Sequence, residues 1–118
     1  MPTSDPFFDE DEKGFAALKS EQFVEYKNML FRRSAFSTTH VDELLSGGNP
    51  PHTVQLQVNH VSMISYGADV SLQNKHAQDL VGAWLSTAKH NFPYLYVWVA
   101  VEYSEAEAVV SVRAVARS

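Results

Sequence analysis

The sequence predicts a single α+β domain in which helices pack on one face of a small antiparallel sheet. Apolar residues recur at helical spacing in two long stretches and alternate at every second residue in three others. The last two alternating stretches follow each other without a helix between them, so they pair antiparallel. We therefore expect a two-layer fold, with N-terminal helices and one long central helix packed on three or four strands.

The first long stretch, from Gly14 to about Arg33, predicts an amphipathic helix. Its apolar residues at helical spacing are Phe15, Leu18, Phe23, Tyr26, Met29 and Leu30. Acidic residues precede the helix, and Arg32 and Arg33 close it, which complements the helix dipole. We therefore interpret the two arginines as ligands of the last helical carbonyls rather than of phosphate.

A short helix from His40 to Ser46 is expected next, with Thr39 as its N-cap, Asp42 in a capping box and Gly47 as its left-handed stop. The following glycines and prolines form the clearest loop in the chain, because proline cannot donate to a helix.

The stretch from Thr53 to Tyr66 predicts a strand, because Val54, Leu56 and Val58 alternate with polar residues. The alternation changes phase at Asn59-His60. One long strand with a bulge and a tight hairpin both fit this change. We favour the long strand, since histidine is a poor substitute for the glycine of such a turn.

A second long helix is expected from the turn at residues 66–69, capped by Asp69 or Ser71, to His90-Asn91, just before Pro93. Its expected buried stripe is Leu72, His76, Leu80, Val81, Trp84, Leu85 and Ala88, with Gln73 among the residues facing water.

Two strands complete the chain, from Tyr94 to Tyr103 and from Ala106 to Arg117. The first has an aliphatic face and an aromatic face, the latter formed by Tyr94, Tyr96 and Trp98. Either the first helix covers the aromatic face with Phe15, Phe23 and Tyr26, which we favour, or the face binds a partner protein or a second copy.

A sheet of only three strands leaves two open edges. We therefore expect either a homodimer, formed edge to edge or face to face, or a fourth strand supplied by the long strand folding back.

Charge divides the chain into an acidic tail, residues 1–12, and one domain, residues 13–118. The tail holds five of the fourteen acidic side chains and no basic one, which accounts for the whole formal charge of −5. We expect the tail to be flexible. Because the domain has no excess of basic residues, we expect no nucleic-acid partner.

Phe7 and Phe8 lie next to Asp9 and Glu10 in this tail. The two phenylalanines either staple onto the first helix or anchor the tail in a partner's groove, and the acids would favour a basic partner surface. We predict Phe7, Phe8, Asp9, Glu10, Tyr94, Tyr96 and Trp98 as partner-binding residues.

No specific signal for catalysis is present. The chain has no cysteine, no nucleophile elbow, no phosphate loop with lysine and no pair of histidines at ligand spacing, so we expect no cofactor or metal. If an enzymatic pocket existed, its candidates would be His60, Tyr66, Tyr96 and Asp69.

The sequence thus favours a small non-catalytic binding protein of the inhibitor, immunity or adaptor type, acting stoichiometrically. The alternatives are a small cavity enzyme or ligand carrier using His60 with nearby tyrosines, and a subunit of a larger assembly. With no apolar run of membrane length and no secretion signal at the N-terminus, we expect a soluble, cytoplasmic protein without a membrane partner.

Overall fold

A computed structural model describes residues 14–66 and 69–117 and confirms the α+β class. The helices are α1 (14–19), α2 (Thr38–Ser46), α3 (Pro51–Asn59) and α4 (Val70–Asn91). The strands are β1 (Phe23–Tyr26), β2 (Met29–Arg32), β3 (Val61–Ser62), β4 (Leu95–Tyr103) and β5 (Ala108–Ala116), and a 3₁₀ turn, Met63–Tyr66, precedes α4.

Two antiparallel sheets organise these elements. Strands β1 and β2 form a hairpin, and the second sheet has the order β3-β5-β4. The main core lies between this second sheet and α4, with contributions from α1 and the hairpin. A smaller core lies between the hairpin, α2 and α3.

The predicted first helix is wrong beyond residue 19. Residues 23–32 form the hairpin, which turns at Lys27 and Asn28, both with positive φ. Phe23 and Leu30 enter the main core while Met29 and Phe31 enter the smaller one. Because apolar residues cover both faces of the hairpin, the two-residue alternation is lost and the spacing imitates a helix.

The arginines at the end of the hairpin are therefore not helix caps. Arg32 donates from Nε to Glu21 at 3.1 Å and lies over the Trp84 ring, 5.6 Å from its centroid. The backbone N–H of Arg33 donates to the carbonyl of Gln22.

Helix α2 matches the predicted short helix, although its caps differ. Ser37, rather than Thr39, accepts a hydrogen bond from the backbone of His40. Gly47 has a φ of −75°, and the left-handed residue is Gly48, with a φ of 93°.

The predicted strand over residues 53–66 is also wrong, since residues 51–59 form helix α3. Pro51 begins the helix, where its fixed φ fits and its missing N–H costs nothing. Val54 packs in the smaller core. Gln55 and Asn59, one helical turn apart, are buried on the same face of α3. The alternation of valines and leucine was misleading because the buried residues of α3 include polar ones.

The two buried amides of α3 join the two sheets. Gln55 accepts from the backbone N–H groups of Leu30 (2.9 Å) and Ala114 (2.7 Å) and donates to the carbonyl of Ala114. Asn59 accepts from Arg32 N–H and donates to the carbonyls of Leu30 and Val112, both at 2.7 Å. These side chains supply the hydrogen bonds that a neighbouring strand would otherwise give to β2 and β5.

Helix α4 and the hairpin of β4 and β5 confirm the predictions for the C-terminal half. Asp69 caps α4 by accepting from the backbone of Leu72. The predicted stripe needs one correction: Leu72 is exposed, whereas Gln73 is buried and bonds the backbone of Ala106 and Ala108. None of the described helices combines the length and apolar character needed to cross a membrane.

Candidate partner-binding surface

The outer face of the three-stranded sheet, which points away from α4, carries a row of aromatic side chains. Tyr94, Tyr96 and Trp98 are exposed by 52%, 49% and 46%. The expectation that the first helix covers them is wrong, because Phe15 and Phe23 lie in the main core and Tyr26 lies beside the smaller one. We call Tyr94, Tyr96, Trp98 and the neighbouring exposed Val115 the aromatic face.

Arg113 of β5 and Arg117, which directly follows β5, stack on this face. Arg117 lies over the ring of Tyr96, 4.7 Å from its centroid, and Arg113 lies 5.7 Å from the ring centroid of Trp98, its cross-strand neighbour. The Tyr96 and Trp98 rings lie 6.4 Å apart. Cation–π contacts of this kind attract the guanidinium groups to the ring faces, so the rings and the arginines form one contiguous surface.

A shallow concavity of about 380 Å³ lies at one end of the aromatic face. It is lined by Lys89, Pro93, Leu95, Tyr96, Val97, Trp98 and Arg117. Apolar walls with two flanking cations favour a group that is partly apolar and carries a negative charge.

The aromatic residues of this surface were predicted from the sequence, whereas Arg113, Arg117 and Lys89 were not. The missing information was the pairing register, which places Trp98 opposite Arg113. The alternation of β5 already put both arginines on its polar side, so aligning the two strands about their turn would have found them.

Charge is distributed unevenly along the outer face. The end that carries the aromatic rings holds Arg113 and Arg117, whereas Glu102 is exposed toward the opposite end of β4. Glu107, next to β5, accepts a hydrogen bond from the Ser62 hydroxyl at 2.7 Å. The sheet therefore has a basic, aromatic end and an acidic end.

The other predicted partner-binding residues, Phe7, Phe8, Asp9 and Glu10, lie outside the described residues.

The candidates for an enzymatic pocket do not form a common site. His60 is the exposed C-terminal cap of α3, with Nδ1 near the carbonyls of Leu56 and Gln57, rather than a residue inside a cavity. Tyr66 packs on Phe15, and Asp69 caps α4. Within residues 14–66 and 69–117, no hydrogen bond or ring contact joins any two of His60, Tyr66, Asp69 and Tyr96.

Among the described residues, no three histidine or carboxylate side chains gather in a way that could hold a metal ion.

His76 is a partly buried histidine of α4. Its ring stacks on Phe15 with centroids 4.1 Å apart, and its Nδ1 is buried without a hydrogen-bond partner among the described residues. Burial lowers the pKa of His76 below its ordinary value, while nearby Asp79 opposes this effect. The aromatic and apolar neighbours of this ring are typical of a packed histidine.

Comparison of the chain with protein families, with curated proteins and with solved structures finds no match.

Proposed function

We propose that the protein is a non-catalytic binding module that acts stoichiometrically, as an inhibitor, immunity or adaptor protein does, and that the aromatic face contacts its protein partner. The observation that carries the proposal is the half-exposure of Tyr94, Tyr96 and Trp98 on a strand whose other face is anchored in the core. Tyrosine and tryptophan on a rigid scaffold supply large contact area at a low cost in conformational entropy.

The two arginines beside the aromatic rings indicate which chemical groups the partner presents. Arg113 and Arg117 lie over the rings they flank, and neither forms a salt bridge with an acidic side chain among the described residues. A partner that places carboxylates beside an apolar side chain would complement both features. The acidic tail would then bind a separate, basic part of the partner.

Aromatic rings with arginines on a sheet can also stack on single-stranded nucleic acid. Such binding needs a basic groove that follows the phosphates over several nucleotides. The acidic end of the same sheet, with Glu102 exposed, and the zero net charge of residues 13–118 favour a protein partner instead.

The test compares two variants as baits in an extract of the native host. Tyr96→Ala/Trp98→Ala removes the centre of the aromatic face. Tyr103→Ala is the matched control, because Tyr103 is 57% exposed but bonds Gln78 of α4 and lies on the other side of β4. We expect the wild type and the control to retain one partner in a 1:1 complex that the double variant loses.

The Kd for the purified partner then tests the proposal quantitatively. Loss of a central tryptophan anchor costs about 2 kcal/mol or more, which is about a 30-fold rise in Kd. Equal affinity of the double variant and the wild type would contradict the role of the aromatic face. A short single-stranded RNA binding more tightly than the partner would contradict the choice of partner class.

A further inference from the structure

The free edge of β4 is the longest unpaired edge in the described part of the chain. In the order β3-β5-β4, no described strand pairs with the other side of β4. Its nine residues pair with β5 in unbroken register, so the strand has no bulge, and it contains neither proline nor lysine. Native proteins often protect a free edge with such features or with other charged side chains, and the one charged side chain of β4 is Glu102, near its end.

Hydrogen bonds at both ends of the hairpin show which residues direct their backbone groups toward that edge. Arg117 N–H donates to the carbonyl of Tyr94, and Ser104 N–H donates to the carbonyl of Glu107. Hydrogen-bonded pairs alternate along an antiparallel ladder, so even-numbered residues of β4 bond β5. The N–H and C=O groups of odd-numbered residues, including Val97, Val99 and Val101, therefore point to the free edge.

The side chains of these valines are also incompletely covered. Val97, Val99 and Val101 are only partly buried, whereas Val110 and Val112 of β5, on the same side of the sheet, are fully buried. The edge therefore combines unpaired backbone groups with an incompletely buried aliphatic row.

We propose that β4 pairs antiparallel with β4 of a second copy of this chain, about a two-fold axis at Val99, to form a continuous six-stranded sheet. Because only odd-numbered residues direct their N–H and C=O groups to the free edge, odd-numbered residues of the two copies must lie opposite each other. Of the registers that satisfy this condition, the one centred on Val99 overlaps the strand over its full length. Val97 then faces Val101 of the second copy, which extends the aliphatic row across the junction.

The outer face of this junction is complementary in charge and in size. Tyr96, with Arg117 stacked on it, faces Glu102 of the second copy, so the basic end of one sheet meets the acidic end of the other. Trp98 faces the small side chain of Ala100 of the second copy. Cross-strand pairs of opposite charge stabilise a sheet, and the small alanine leaves room for the indole ring beside it.

A second copy fits this edge better than residues 1–13 of the same chain do. Residues 1–13 contain Pro2 and Pro6 and only one basic residue, so they are poor partners for an extended ladder next to Glu102. The proposal does not rest on the proposed function, because the ladder is made by backbone groups of the odd-numbered residues, whereas the partner would be bound by aromatic side chains of the even-numbered ones. The two proposals can fail separately. A monomer that still binds its partner would contradict only the dimer, and a dimer that binds no partner would contradict only the proposed function.

The first experiment is sedimentation equilibrium of the full chain at up to about 200 µM, which covers a micromolar Kd. We expect a dimer of the 13.2 kDa chain. Val99→Pro removes the edge-facing N–H and should give a folded monomer, since proline is tolerated where the N–H faces outward. Val99→Ala retains this N–H and should still dimerise. Ala100→Pro removes an N–H that bonds β5 and should lower the Tm strongly.

A monomeric wild type, or a dimer that persists in folded Val99→Pro, would overturn the proposal. Dimerisation lost on deletion of residues 1–13 but retained in Val99→Pro would assign the contact to those residues instead.

The second experiment tests the register without depending on a proline variant. The chain has no cysteine, so one introduced cysteine is unique. Val99→Cys should form an intermolecular disulfide under mild oxidation, because the paired Cα atoms would be about 5.5 Å apart. Val97→Cys is the control, since its two copies would lie about 14 Å apart along the strand. Equal cross-linking of both variants would contradict the proposed axis.

Discussion

At the scale of single residues, the buried amides of α3 hold together two sheets that share no strand pairing. Asn59 has no exposed surface, and its amide nitrogen lies 2.7 Å from two backbone carbonyls. A buried amide in this position must remain a donor, because both carbonyls would otherwise lose their hydrogen bonds.

Asn59→Asp tests this requirement with almost no change in shape. The new carboxylate would face the carbonyls of Leu30 and Val112, so we expect the free energy of unfolding to fall by about 3 kcal/mol or more. Gln57→Glu, on the exposed side of the same helix, should stay within about 0.5 kcal/mol of the wild type. Urea denaturation measures both, and equal losses in the two variants would contradict the proposed role of Asn59.

His76 gives the stability of the fold a pH dependence. Burial lowers its pKa in the folded state below the ordinary value of about 6.5, so the unfolded chain binds a proton first. The contribution of His76 is therefore complete above pH 6.5 and decreases as the pH falls through the lower, folded pKa. We expect Tm to fall with acidification in this range and the slope to diminish in His76→Gln. Asn74→Gln, at an exposed position of the same helix and without a titrating side chain, should keep the wild-type slope.

At the scale of elements, the hairpin of β1 and β2 depends on a turn of two residues with positive φ. Lys27 and Asn28 have φ values of 54° and 64°, the left-handed region that two-residue turns between antiparallel strands require. Asn28 also donates its backbone N–H to Glu25 at 2.9 Å, and Lys27 donates to Asp42 at 3.1 Å. The turn thus connects the hairpin to α2.

Asn28→Gly should stabilise the protein, because glycine adopts this φ without steric cost and the bond to Glu25 comes from the backbone. We expect a gain of up to about 1 kcal/mol, and a loss of similar or larger size for Asn28→Val, whose branched side chain opposes a positive φ. Thermal and urea unfolding measure both. A destabilised Asn28→Gly would indicate that the asparagine side chain itself is needed.

The two faces of the β4–β5 hairpin should respond differently to truncation. Trp98→Ala removes a half-exposed ring and should cost less than about 1.5 kcal/mol, whereas Val112→Ala on β5 empties part of the main core and should cost about 2 kcal/mol or more. Unfolding of the two variants compares these values directly. A larger loss for Trp98→Ala would make the aromatic face a structural element rather than a binding surface.

At the scale of the whole molecule, charge is separated between residues 1–12 and the rest of the chain. Deleting residues 1–12 changes the formal charge from −5 to zero. If these residues attract a basic partner, the deletion should lower the association rate and flatten its dependence on salt. Stopped-flow association with the purified partner at several salt concentrations measures both. An unchanged salt dependence would show that residues 1–12 do not steer association.

The correctly predicted elements are those in which the spacing of apolar residues along the sequence matches the residues that are buried in the fold. Helix α4 has an N-cap at Asp69 and a stop before Pro93, and β4 alternates over its full length with one face in the core. Its outer aromatics were identified for the same reason. In these segments most of the buried apolar residues lie on one side of the element, so their spacing follows the secondary structure.

The sequence by itself determined the class of fold, the central helix, the C-terminal hairpin and the aromatic row of β4. Only the tertiary structure decided that residues 23–32 form a hairpin and residues 51–59 a helix. The two faces of the β1–β2 hairpin are buried in two different cores. In α3, Gln55 and Asn59 are buried because they form hydrogen bonds with the backbone edges of β2 and β5. Burial there depends on contacts between distant segments, and no local pattern of hydrophobicity carries that information.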